Sequence, residues 1–349
     1  MKNWEQNLVS DGITVKQALE RLNKIGIASN VLFVVDNQKV LKGSVTDGDI
    51  RRGLLNNADV RESVTAVMNK NCRRISKNVI STELLADFRK RGISTLPVVN
   101  ATGQIVDILD LSFYKGIVPA SAILMAGGRG ERLLPLTKDT PKPLLPVNGK
   151  PIIEHNIDRL ISFGVHDIYI SINYLGNQIE ERFGDGAEKG ISINYIRETT
   201  PLGTIGSVSL GGPYTHDSIL LMNSDLLTNI DFGDFYAEFQ RSGADMAVAT
   251  VAHHVDLPYA IMELSGDVVC SLREKPRYTY FANSGIYLFK KELLSFLPPK
   301  GFYNATDLME RVISEGKRLI HFPLLGYWLD IGRMNDYHKA QEDFKHIIF

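Results

Sequence analysis

Residues 123–146 of the chain read ILMAGGRGERLLPLTKDTPKPLLP. The stretch opens with the apolar run Ile123–Ala126, which predicts a buried strand. Three glycines follow within four positions: Gly127, Gly128 and Gly130. A strand that opens into such a turn presents several backbone N–H groups to one point, where an anion binds, and glycine lets the anion approach without a Cβ in the way. We therefore expect a phosphate group on this turn, with Arg132 and Lys142 supplying positive charge.

Two common phosphate-binding loops do not fit this stretch. A P-loop ends in Gly-Lys-Ser/Thr, whereas Gly130 is followed by Glu131 and Arg132. The dinucleotide-binding fingerprint requires a third glycine at the position of Arg132. The stretch instead resembles the pattern G-G-x-G-x-R-L-x-P-L-T, followed by P-K-P, of the sugar-1-phosphate nucleotidyltransferases. Eleven residues match that pattern: Gly127, Gly128, Gly130, Arg132, Leu133, Pro135, Leu136, Thr137, Pro141, Lys142 and Pro143.

This resemblance implies a nucleotide site on the glycine turn. The implied nucleotide contacts are Ala126, Gly127, Gly128, Gly130 and Arg132. The guanidinium of Arg132 would hold the triphosphate, because its planar fork matches phosphate oxygens. Lys142 would lie near the phosphate that is transferred. Arg132 and Lys142 are therefore the residues that we expect to be catalytic.

The composition limits the class of protein. The chain has 349 residues, which indicates two or more domains, and it is 44% hydrophobic and 23% charged, as globular proteins are. Its formal net charge of −1 does not favour nucleic-acid binding, and no apolar run approaches the roughly 20 residues that span a membrane. The first residues, MKNWEQNLVSDG, hold no apolar signal-peptide core, and Cys72 and Cys270 are far apart in sequence. We therefore expect a cytoplasmic protein without a disulfide framework.

Residues 121–349 alternate apolar strands with amphipathic helices. Residues 151–163 carry apolar side chains at helical spacing, and strands are predicted at 166–173, 218–222 and 244–252. This alternation favours an α/β fold with a mostly parallel sheet covered by helices, whose ligand site lies at the carboxyl ends of the strands. The family resemblance implies a Rossmann-like, GT-A-like nucleotidyltransferase domain over this block.

Residues 1–118 form a separate block with an internal repeat. Residues 30–50 read NVLFVVDNQKVLKGSVTDGDI and residues 94–113 read STLPVVNATGQIVDILDLSF, and each stretch follows a predicted helix. The first copy resembles a cystathionine-β-synthase (CBS) domain, most clearly in its segment GSVTDGDI. We therefore expect an α/β tandem CBS module ahead of the second block, with copies at about 1–60 and 61–118.

The CBS resemblance implies a site for an adenosine nucleotide. In that family a Thr or Ser and an Asp of the motif contact the ribose, and Thr46 and Asp49 are the matching positions in the first copy. In the second copy Asp110 and Phe113 stand at those positions, so the ribose contact is expected in the first copy alone. The alternative is that Asp49 only caps the helix that follows it.

Two acidic residues are candidates for binding Mg²⁺. Asp225 follows the apolar run at 218–222, and Asp330 lies in the segment YWLDIG at 327–332. The resemblance implies that both are metal ligands, because the family carries an Asp after this strand and another in a W-x-D-x-G motif. Mg²⁺ takes few protein ligands and keeps water and phosphate oxygens. The alternative for Asp225 alone is a cap or a turn residue.

Three further segments resemble those that hold the sugar phosphate in the same family. These segments are TPLGT at 200–204, EKP at 274–276 and NSGIY at 283–287. The implied sugar-phosphate contacts are Gly203, Glu274, Lys275 and Asn283. The alternatives are a solvated surface pair for Glu274 and Lys275, and the start of a helix at Thr204.

A CBS pair in front of such a transferase resembles bacterial sugar-phosphate guanylyltransferases, some of which serve legionaminic acid biosynthesis. The resemblance implies transfer of GMP from GTP to a sugar 1-phosphate, glucosamine 1-phosphate in the first place, with Mg²⁺ as the cofactor. It also implies a homo-oligomer in which the CBS pair regulates or assembles the enzyme. The alternatives are UTP, dTTP or CTP as the triphosphate, mannose or heptose 1-phosphate as the sugar, and a nucleotide sensor without catalysis. The residue types do not identify a base-reading residue.

Overall fold

The structure is a computed structural model that describes residues 4–25, 30–76 and 82–347. The chain divides into two compact units. The first comprises the residues up to Ile117 together with Ser162–Gly164, and the second comprises Val118–Ile161 and the residues from Val165 onward. Among the described residues, no helix is long and apolar enough to cross a membrane.

The first unit is built from two similar sets of short elements. Its strands are β1 (Leu8–Ser10), β2 (Val31–Val35), β3 (Leu41–Thr46), β4 (Ile75–Ser76), β5 (Thr95–Val99) and β6 (Ile105–Asp110). Its helices are α1 (Val15–Ile25), α2 (Asp47–Leu55) and α3 (Thr82–Lys90). In each set the first strand pairs parallel with the second and the second pairs antiparallel with the third. Both stretches of the predicted internal repeat thus fold with the same order of strands.

The two copies of the repeat are joined through their hairpin turns. The N–H of Leu41 donates to the carbonyl of Gly103 and the N–H of Ile105 donates to the carbonyl of Lys39, each over 3.0 Å. On α1 the buried residues recur at helical spacing: Val15, Ala18 and Leu22. The helix packs this face on the first sheet, as its sequence predicts.

The second unit contains the remaining elements. Its strands are β7 (Ser121–Ala126), β8 (Pro146–Val147), β9 (Lys150–Pro151), β10 (Asp167–Ile172), β11 (Ser192–Arg197), β12 (Ser218–Asn223), β13 (Leu226–Thr228), β14 (Met246–Asp256), β15 (Ile261–Ser265), β16 (Val268–Arg273), β17 (Arg277–Lys290), β18 (Leu319–Pro323) and β19 (Trp328–Asp330). Its helices are α4 (Ile152–Ser162), α5 (Gly176–Phe183), α6 (Phe232–Ser242), α7 (Ala305–Ser314) and α8 (Met334–Asp343).

A central sheet organises this unit. Within the described residues it has seven strands in the order β11-β10-β7-β12-β17-β14-β18. Strands β11, β10, β7 and β12 run parallel, β14 runs parallel with β18, and β17 is antiparallel to both of its neighbours. Strands β7, β10 and β12 are buried on both faces, which explains why β7 and β12 read as continuous apolar runs. The expected α/β fold with a mostly parallel sheet is confirmed.

The strand expected at 244–252 is longer than the sequence predicts. It runs over Met246–Asp256, and its side chains are buried up to Thr250 and exposed from Ala252 onward. The neighbour β18 ends at Pro323, opposite Thr250, so that the rest of β14 pairs with β17 alone. The exposed half therefore extends beyond the cover of the sheet, which local periodicity does not reveal.

Two neighbouring strands deliver the candidate residues to one edge of the sheet. β7 leads into the glycine turn and β12 leads to Asp225, and Asn223 pairs in register with Met125. The short ribbon of β13 and β19 places Leu226 opposite Asp330. The glycine turn and Asp225 thus follow the carboxyl ends of two adjacent parallel strands, and β19 brings Asp330 to the same edge, where the sequence predicts the ligand site.

Candidate active site

The glycine turn is held in one conformation by the residues that follow it. Gly130 has a φ of 65°, in the left-handed region that favours glycine. A Cβ on Gly130 would lie 2.9 Å from Thr137 Cγ2 and 3.0 Å from Lys142 Cβ, so no larger residue fits without a shift. The carbonyl of Gly130 also accepts from Thr137 Oγ1 over 2.9 Å. These contacts bring Lys142 against the turn.

The outer side of the turn is open. A Cβ on Gly128 would meet no atom within 4 Å, and Gly128 is exposed. Gly127 is tighter, because a Cβ there would lie 3.0 Å from Glu198 Oε1. Arg132 is exposed, on a short helical turn formed by Glu131–Leu133. The turn therefore offers backbone and the guanidinium of Arg132 to an anion arriving from solvent, while the guanidinium of Arg129 lies over the ring of Tyr174.

Lys142 lies between two carboxylates at the foot of the turn. Its side chain is buried and its Nζ donates to Asp225 Oδ2. The same Nζ lies 4.0 Å from Asp330 Oδ1. The two aspartates come from β12–β13 and from β19, so the fold has assembled three charged side chains from three distant segments of sequence. A buried ammonium paired in this way holds a fixed position.

The two aspartates have the properties of an incomplete metal site. Asp225 Oδ1 is buried and has no hydrogen-bond partner, which is costly for a carboxylate oxygen unless a cation satisfies it. Burial raises the pKa of the Asp330 carboxyl, and the nearby charge of Asp225 raises it further, against the opposing charges of Lys142 and Arg132. A divalent cation would bind the unpartnered oxygen of Asp225 and would offset the repulsion between the two carboxylates. Oxygen donors of this kind fit Mg²⁺.

The cation would need more ligands than these two carboxylates. In the described part of the chain, no group of three or more His, Cys, Asp or Glu side chains is arranged to hold a metal ion. Mg²⁺ ordinarily completes its octahedron with water and with phosphate oxygens of a substrate. The pair of Asp225 and Asp330 fits that mode of binding.

Two residues that support the site were not singled out from the sequence. Asn156 is buried on α4, and its Nδ2 donates to the carbonyls of Ser224 (3.2 Å) and Leu226 (2.9 Å), on either side of Asp225. Glu198 follows β11 and accepts from Ser171 Oγ over 2.6 Å through Oε1. The signal for Asn156 was a polar residue on the apolar face of a predicted helix. No comparable signal marks Glu198.

Gly203 packs against protein backbone. It has a φ of 82°, and a Cβ there would lie 2.5 Å from the carbonyl oxygen of Tyr303. Leu202, just before it, donates its N–H to Glu198 Oε2 over 3.1 Å. Thr204 begins no helix of its own; its Oγ1 accepts from the N–H of Ala305 at the start of α7. The segment is therefore anchored at one side by Glu198 and at the other by α7.

The remaining sugar-site candidates lie on the long strand β17 and in the turn before it. Glu274 and Lys275 are exposed, and Lys275 has a positive φ of 40°. Within the described residues, no hydrogen bond or ion pair joins either of them to Lys142 or the aspartates. Asn283 donates through Nδ2 to the hydroxyl of Tyr287 over 2.8 Å.

A second contact connects the segment after Asn283 to the metal candidates. Trp328 Nε1 donates to the carbonyl of Ser284 over 2.9 Å, two residues before Asp330. A Cβ on Gly285 would lie 2.6 Å from Asn223 Nδ2, at the end of β12. The structure thus brings the NSGIY segment to the carboxyl edge of the sheet and leaves the EKP segment at the surface.

In the first unit, Thr46 and Asp49 are engaged with each other. Helix α2 begins at Asp47, so Thr46 is its N-cap, and Asp49, which the alternative interpretation made the cap, is its third residue and takes part in the capping. The N–H of Asp49 donates to Thr46 Oγ1 over 3.2 Å, and the N–H of Thr46 donates to Asp49 Oδ2 over 2.9 Å. Arg52 also pairs with Asp49 Oδ1 at 2.6 Å. This reciprocal arrangement is a capping box.

The chain was compared with known proteins. Residues 121–346 match the family described as "Nucleotidyl transferase", and residues 8–56 match the CBS domain. A mannose-1-phosphate guanylyltransferase of Mycobacterium tuberculosis is 29% identical over 231 residues, which is 64% of this chain and 64% of that protein. The bifunctional protein GlmU of Methanococcus maripaludis is 31% identical over 64% of this chain and 54% of its own length. The chain thus matches less than two thirds of these relatives.

Solved structures agree with this assignment of the fold. A putative glucose-1-phosphate thymidylyltransferase from Bacillus anthracis, in complex with sucrose, superposes with a TM-score of 0.53 and 26% identity, over 66% of this chain and 97% of that one. HddC from Yersinia pseudotuberculosis, complexed with GMP-PN, superposes with a TM-score of 0.51 and 25% identity, over 64% and 99% of the two chains. Since the family match covers well over half of the sequence, the chain belongs to the nucleotidyl transferase family, with a CBS domain ahead of the transferase domain.

Proposed function

We propose that the chain transfers a nucleoside monophosphate from a nucleoside triphosphate, GTP, to a sugar 1-phosphate. A phosphate oxygen of the sugar 1-phosphate attacks the α-phosphorus, the bond from that phosphorus to the bridging oxygen breaks, and pyrophosphate leaves. The observation that carries this proposal is the position of Lys142, buried between Asp225 and Asp330 at the foot of an open glycine turn. The family and its relatives support the same reaction class.

The reaction depends more on positive charge and on the positioning of the substrates than on a general base. A phosphate monoester has a second pKa near about 6, so the nucleophile is already mostly dianionic at neutral pH. The obstacle is the repulsion between two anions and the charge that develops on the departing pyrophosphate. Arg132 and the backbone of Gly127, Gly128 and Gly130 would bind the triphosphate, and Lys142 would hold the transferred phosphate. Mg²⁺, bound by Asp225 and Asp330, would neutralise phosphate charge when present.

Glu198 supports guanine as the base. Its carboxylate lies beside Gly127, at the turn that would hold the triphosphate. A carboxylate only accepts hydrogen bonds, and guanine alone offers two adjacent donors, N1–H and N2–H₂, on one edge. Uracil and thymine present one N–H between two carbonyl oxygens, which a carboxylate repels. The bonds from Ser171 and Leu202 fix the carboxylate and leave one lone pair on each oxygen.

For the second substrate we propose that Lys275, Glu274, Asn283 and Gly203 hold the sugar phosphate. Glucosamine 1-phosphate is the first candidate sugar, and mannose 1-phosphate is supported by the names of several relatives, the Mycobacterium tuberculosis enzyme among them. We propose a cytoplasmic location, since Cys72 and Cys270 are free thiols and free thiols are typical of reducing compartments. The CBS module would bind an adenosine nucleotide near Thr46 and regulate or assemble the enzyme.

The experiment is a substrate panel read by pyrophosphate release. The protein is incubated with Mg²⁺, each of GTP, UTP, dTTP, CTP and ATP, and each of glucosamine, mannose, heptose and glucose 1-phosphate. GTP with one sugar 1-phosphate is expected to release pyrophosphate, and Lys142→Met is expected to lower that rate by on the order of 100-fold. Lys138→Met, at an exposed lysine, is the matched control. Absence of release with every pair would leave only the nucleotide-sensor function.

A further inference from the structure

A small hydrophobic cluster of the second unit is formed by sequence neighbours of the charged residues of the site. Its buried side chains come from segments that are far apart along the chain, and none of them is more than 4% exposed. We call this group the site cluster, and the members that matter here are Leu133, Leu145, Ile152, Leu227, Ile331 and Ala340.

Each of the four charged residues of the candidate site stands within three positions of a member of the site cluster. These neighbours are Leu133 for Arg132, Leu145 for Lys142, Leu227 for Asp225 and Ile331 for Asp330. Protein interiors are close-packed, so a buried side chain fixes the place of the main chain that carries it. One cluster therefore holds the main chain beside all four charged groups.

Backbone hydrogen bonds extend this hold to the charged residues themselves. The N–H of Leu145 donates to the carbonyl of Lys142 over 3.1 Å, which closes the turn that carries the lysine. The N–H of Ile331 donates to the carbonyl of Asp225 over 3.2 Å. Ile331 follows Asp330 directly, so this bond joins the main chain of one aspartate to that of the other.

Helix α8 connects the segments of Asp330 and Lys142 on the far side of the site cluster. The helix begins four residues after Asp330 and buries Ala340 in the cluster. The hydroxyl of Tyr337 donates to the carbonyl of Pro146 over 2.7 Å, at the start of β8 and shortly after Lys142. The helix thus limits how far the two segments can move apart.

Packing of this kind is needed because the charges do not hold the arrangement by themselves. Asp225 and Asp330 carry the same charge, and the single ammonium of Lys142 lies against both. Like charges in a partly buried site repel each other strongly. Burial of their apolar neighbours opposes this repulsion.

We propose that the site cluster positions the four charged residues for the transfer of the nucleoside monophosphate, so that its apolar members are positioning residues. The inference rests on the proposed function for the reaction that it serves, but the place of Lys142 can be measured without any substrate. A displacement of about 1 Å in such a site costs on the order of 100-fold in rate.

The first test compares two leucine variants of equal burial. Leu227→Ala leaves a cavity in the site cluster, and Leu293→Ala leaves one in the core of the central sheet. Leu293 follows the end of β17 that pairs with the start of β12, at the edge of the sheet opposite to the site. Both variants are expected to unfold at similarly lower urea concentrations, since each loses the same buried atoms. The kcat for pyrophosphate release is expected to fall at least about tenfold more in Leu227→Ala than in Leu293→Ala.

The second test follows the methylation of lysines by formaldehyde and a borane reductant, read by mass spectrometry without substrate. Lys142 is buried and paired, whereas Lys138 is exposed and serves as the internal standard. In Leu227→Ala, Lys142 is expected to react on the order of tenfold faster relative to Lys138, because a loosened cluster opens locally more often. In Leu293→Ala this ratio is expected to stay close to that of the wild type.

A gentler pair of variants covers the case in which Leu227→Ala does not fold. Ile331→Val removes one methyl group from the site cluster, and Ile219→Val removes one from the core of the central sheet. Both isoleucines are fully buried. Ile331→Val is expected to speed the methylation of Lys142 on the order of threefold, and Ile219→Val is expected to leave it unchanged.

Two results would overturn the proposal. One is equal methylation of Lys142 in the site-cluster variant and in its matched control, and the other is an equal loss of kcat in both. Either would give the cluster a role in stability alone. A wild-type chain that releases no pyrophosphate with any substrate pair would sink the proposed function instead, and the methylation of Lys142 would then decide by itself whether the cluster positions that lysine.

Discussion

At the scale of single residues, the candidate site is an excess of negative charge around one buried lysine. Lys142 meets two carboxylates, and one oxygen of Asp225 has no hydrogen-bond partner. Burial and the charge of Asp225 together raise the pKa of Asp330. Such a group of charges is stabilised when a cation enters and when the phosphates of a substrate share it. The local electrostatics therefore predict that metal binding and substrate binding are coupled.

Replacing Asp225 by Asn tests this connection. Asp225→Asn removes a negative charge and the candidate metal ligand while keeping the shape of the side chain. It is expected to raise the Mg²⁺ concentration for half-maximal pyrophosphate release at least about tenfold. Asp217→Asn, at a fully exposed carboxylate, is the control and is expected to leave this concentration unchanged. The same Mg²⁺ dependence in Asp225→Asn would rule out a metal role for Asp225.

Replacing Glu198 by Gln tests the choice of base. The amide oxygen can still accept from the N–H of Leu202, and the NH₂ group then takes the place of the oxygen that accepts from Ser171, whose hydroxyl can accept in turn. That NH₂ group opposes the donors of guanine. The kcat/KM for GTP is expected to fall on the order of 100-fold, because a hydrogen bond to a charged group is worth about 1.5–3 kcal/mol. The kcat/KM for UTP is expected not to fall. Glu188→Gln, at an exposed glutamate, is the control, and an equal loss for all triphosphates would assign Glu198 a purely structural role.

At the scale of elements, short-range pairing of strands does most of the positioning. The ribbon of β13 and β19 sets Asp330 opposite the residue that follows Asp225. Helix α4 supports the same region, since Asn156 donates hydrogen bonds to the carbonyls on both sides of Asp225. The opposite side of α4 carries a network of ions with the segment around α5. Lys189 Nζ pairs there with Glu154 at 2.9 Å and with Asp158 at 2.7 Å.

This network predicts a pH dependence of stability. Burial raises the pKa values of Glu154 and Asp158, but hydrogen bonds from Lys189 and other cations outweigh it, so both values are lowered on folding. The stabilisation is thus present above the unfolded pKa values of about 4 and is lost as the pH falls through the folded values. Lys189→Met is expected to lower the free energy of unfolding by about 1 kcal/mol at pH 7 and by less at pH 3.

Urea unfolding at both pH values measures the effect. Lys138→Met, whose side chain is exposed, serves as the control and is expected to change the free energy of unfolding little at either pH. A Lys189→Met variant that loses the same free energy at pH 3 as at pH 7 would contradict the ionic account and point to packing of the lysine stem.

At the scale of the whole molecule, the chain consists of two units with separate hydrophobic cores. The first unit repeats one strand order twice, and the family comparison matches its first copy, at residues 8–56. Its motif residues Thr46 and Asp49 form a capping box, worth about 1 kcal/mol for the helix start. Capping does not occupy all the lone pairs of the Thr46 hydroxyl and the Asp49 carboxylate. A ribose contact is thus compatible with the cap.

Calorimetry on the full chain tests the nucleotide at the CBS module. AMP is the probe, because it lacks the triphosphate that the transferase site would hold. The wild type and Thr46→Ser are expected to bind AMP, and Thr46→Val is expected to bind at least tenfold more weakly, since it keeps the shape and loses the hydroxyl. The control for folding is the thermal unfolding midpoint of each variant. No heat with the wild-type chain would leave the module a role in assembly alone.

The sequence predicted the elements of this protein well where one local rule governs them. Neighbours along the chain set three of these features: the apolar run before Gly127, the helical spacing on α1 and α4, and the internal repeat. Their patterns can therefore be recognised from the sequence. The glycine turn and the W-x-D-x-G motif could be recognised for the same reason, because each is a continuous segment. The length of β14 could not be predicted, since it depends on where its neighbour β18 ends.

The tertiary structure is needed to show which distant segments of the chain lie together. The residues alone predict an α/β protein with a repeat, and they predict an anion-binding turn and two separate aspartates near it. The packing of β12 beside β7 and the pairing of β13 with β19 brought Lys142 between those aspartates, and it revealed Asn156 and Glu198 as their surroundings. The physical reason is that contacts and burial depend on distance in space, which the spacing of residues along one chain does not specify.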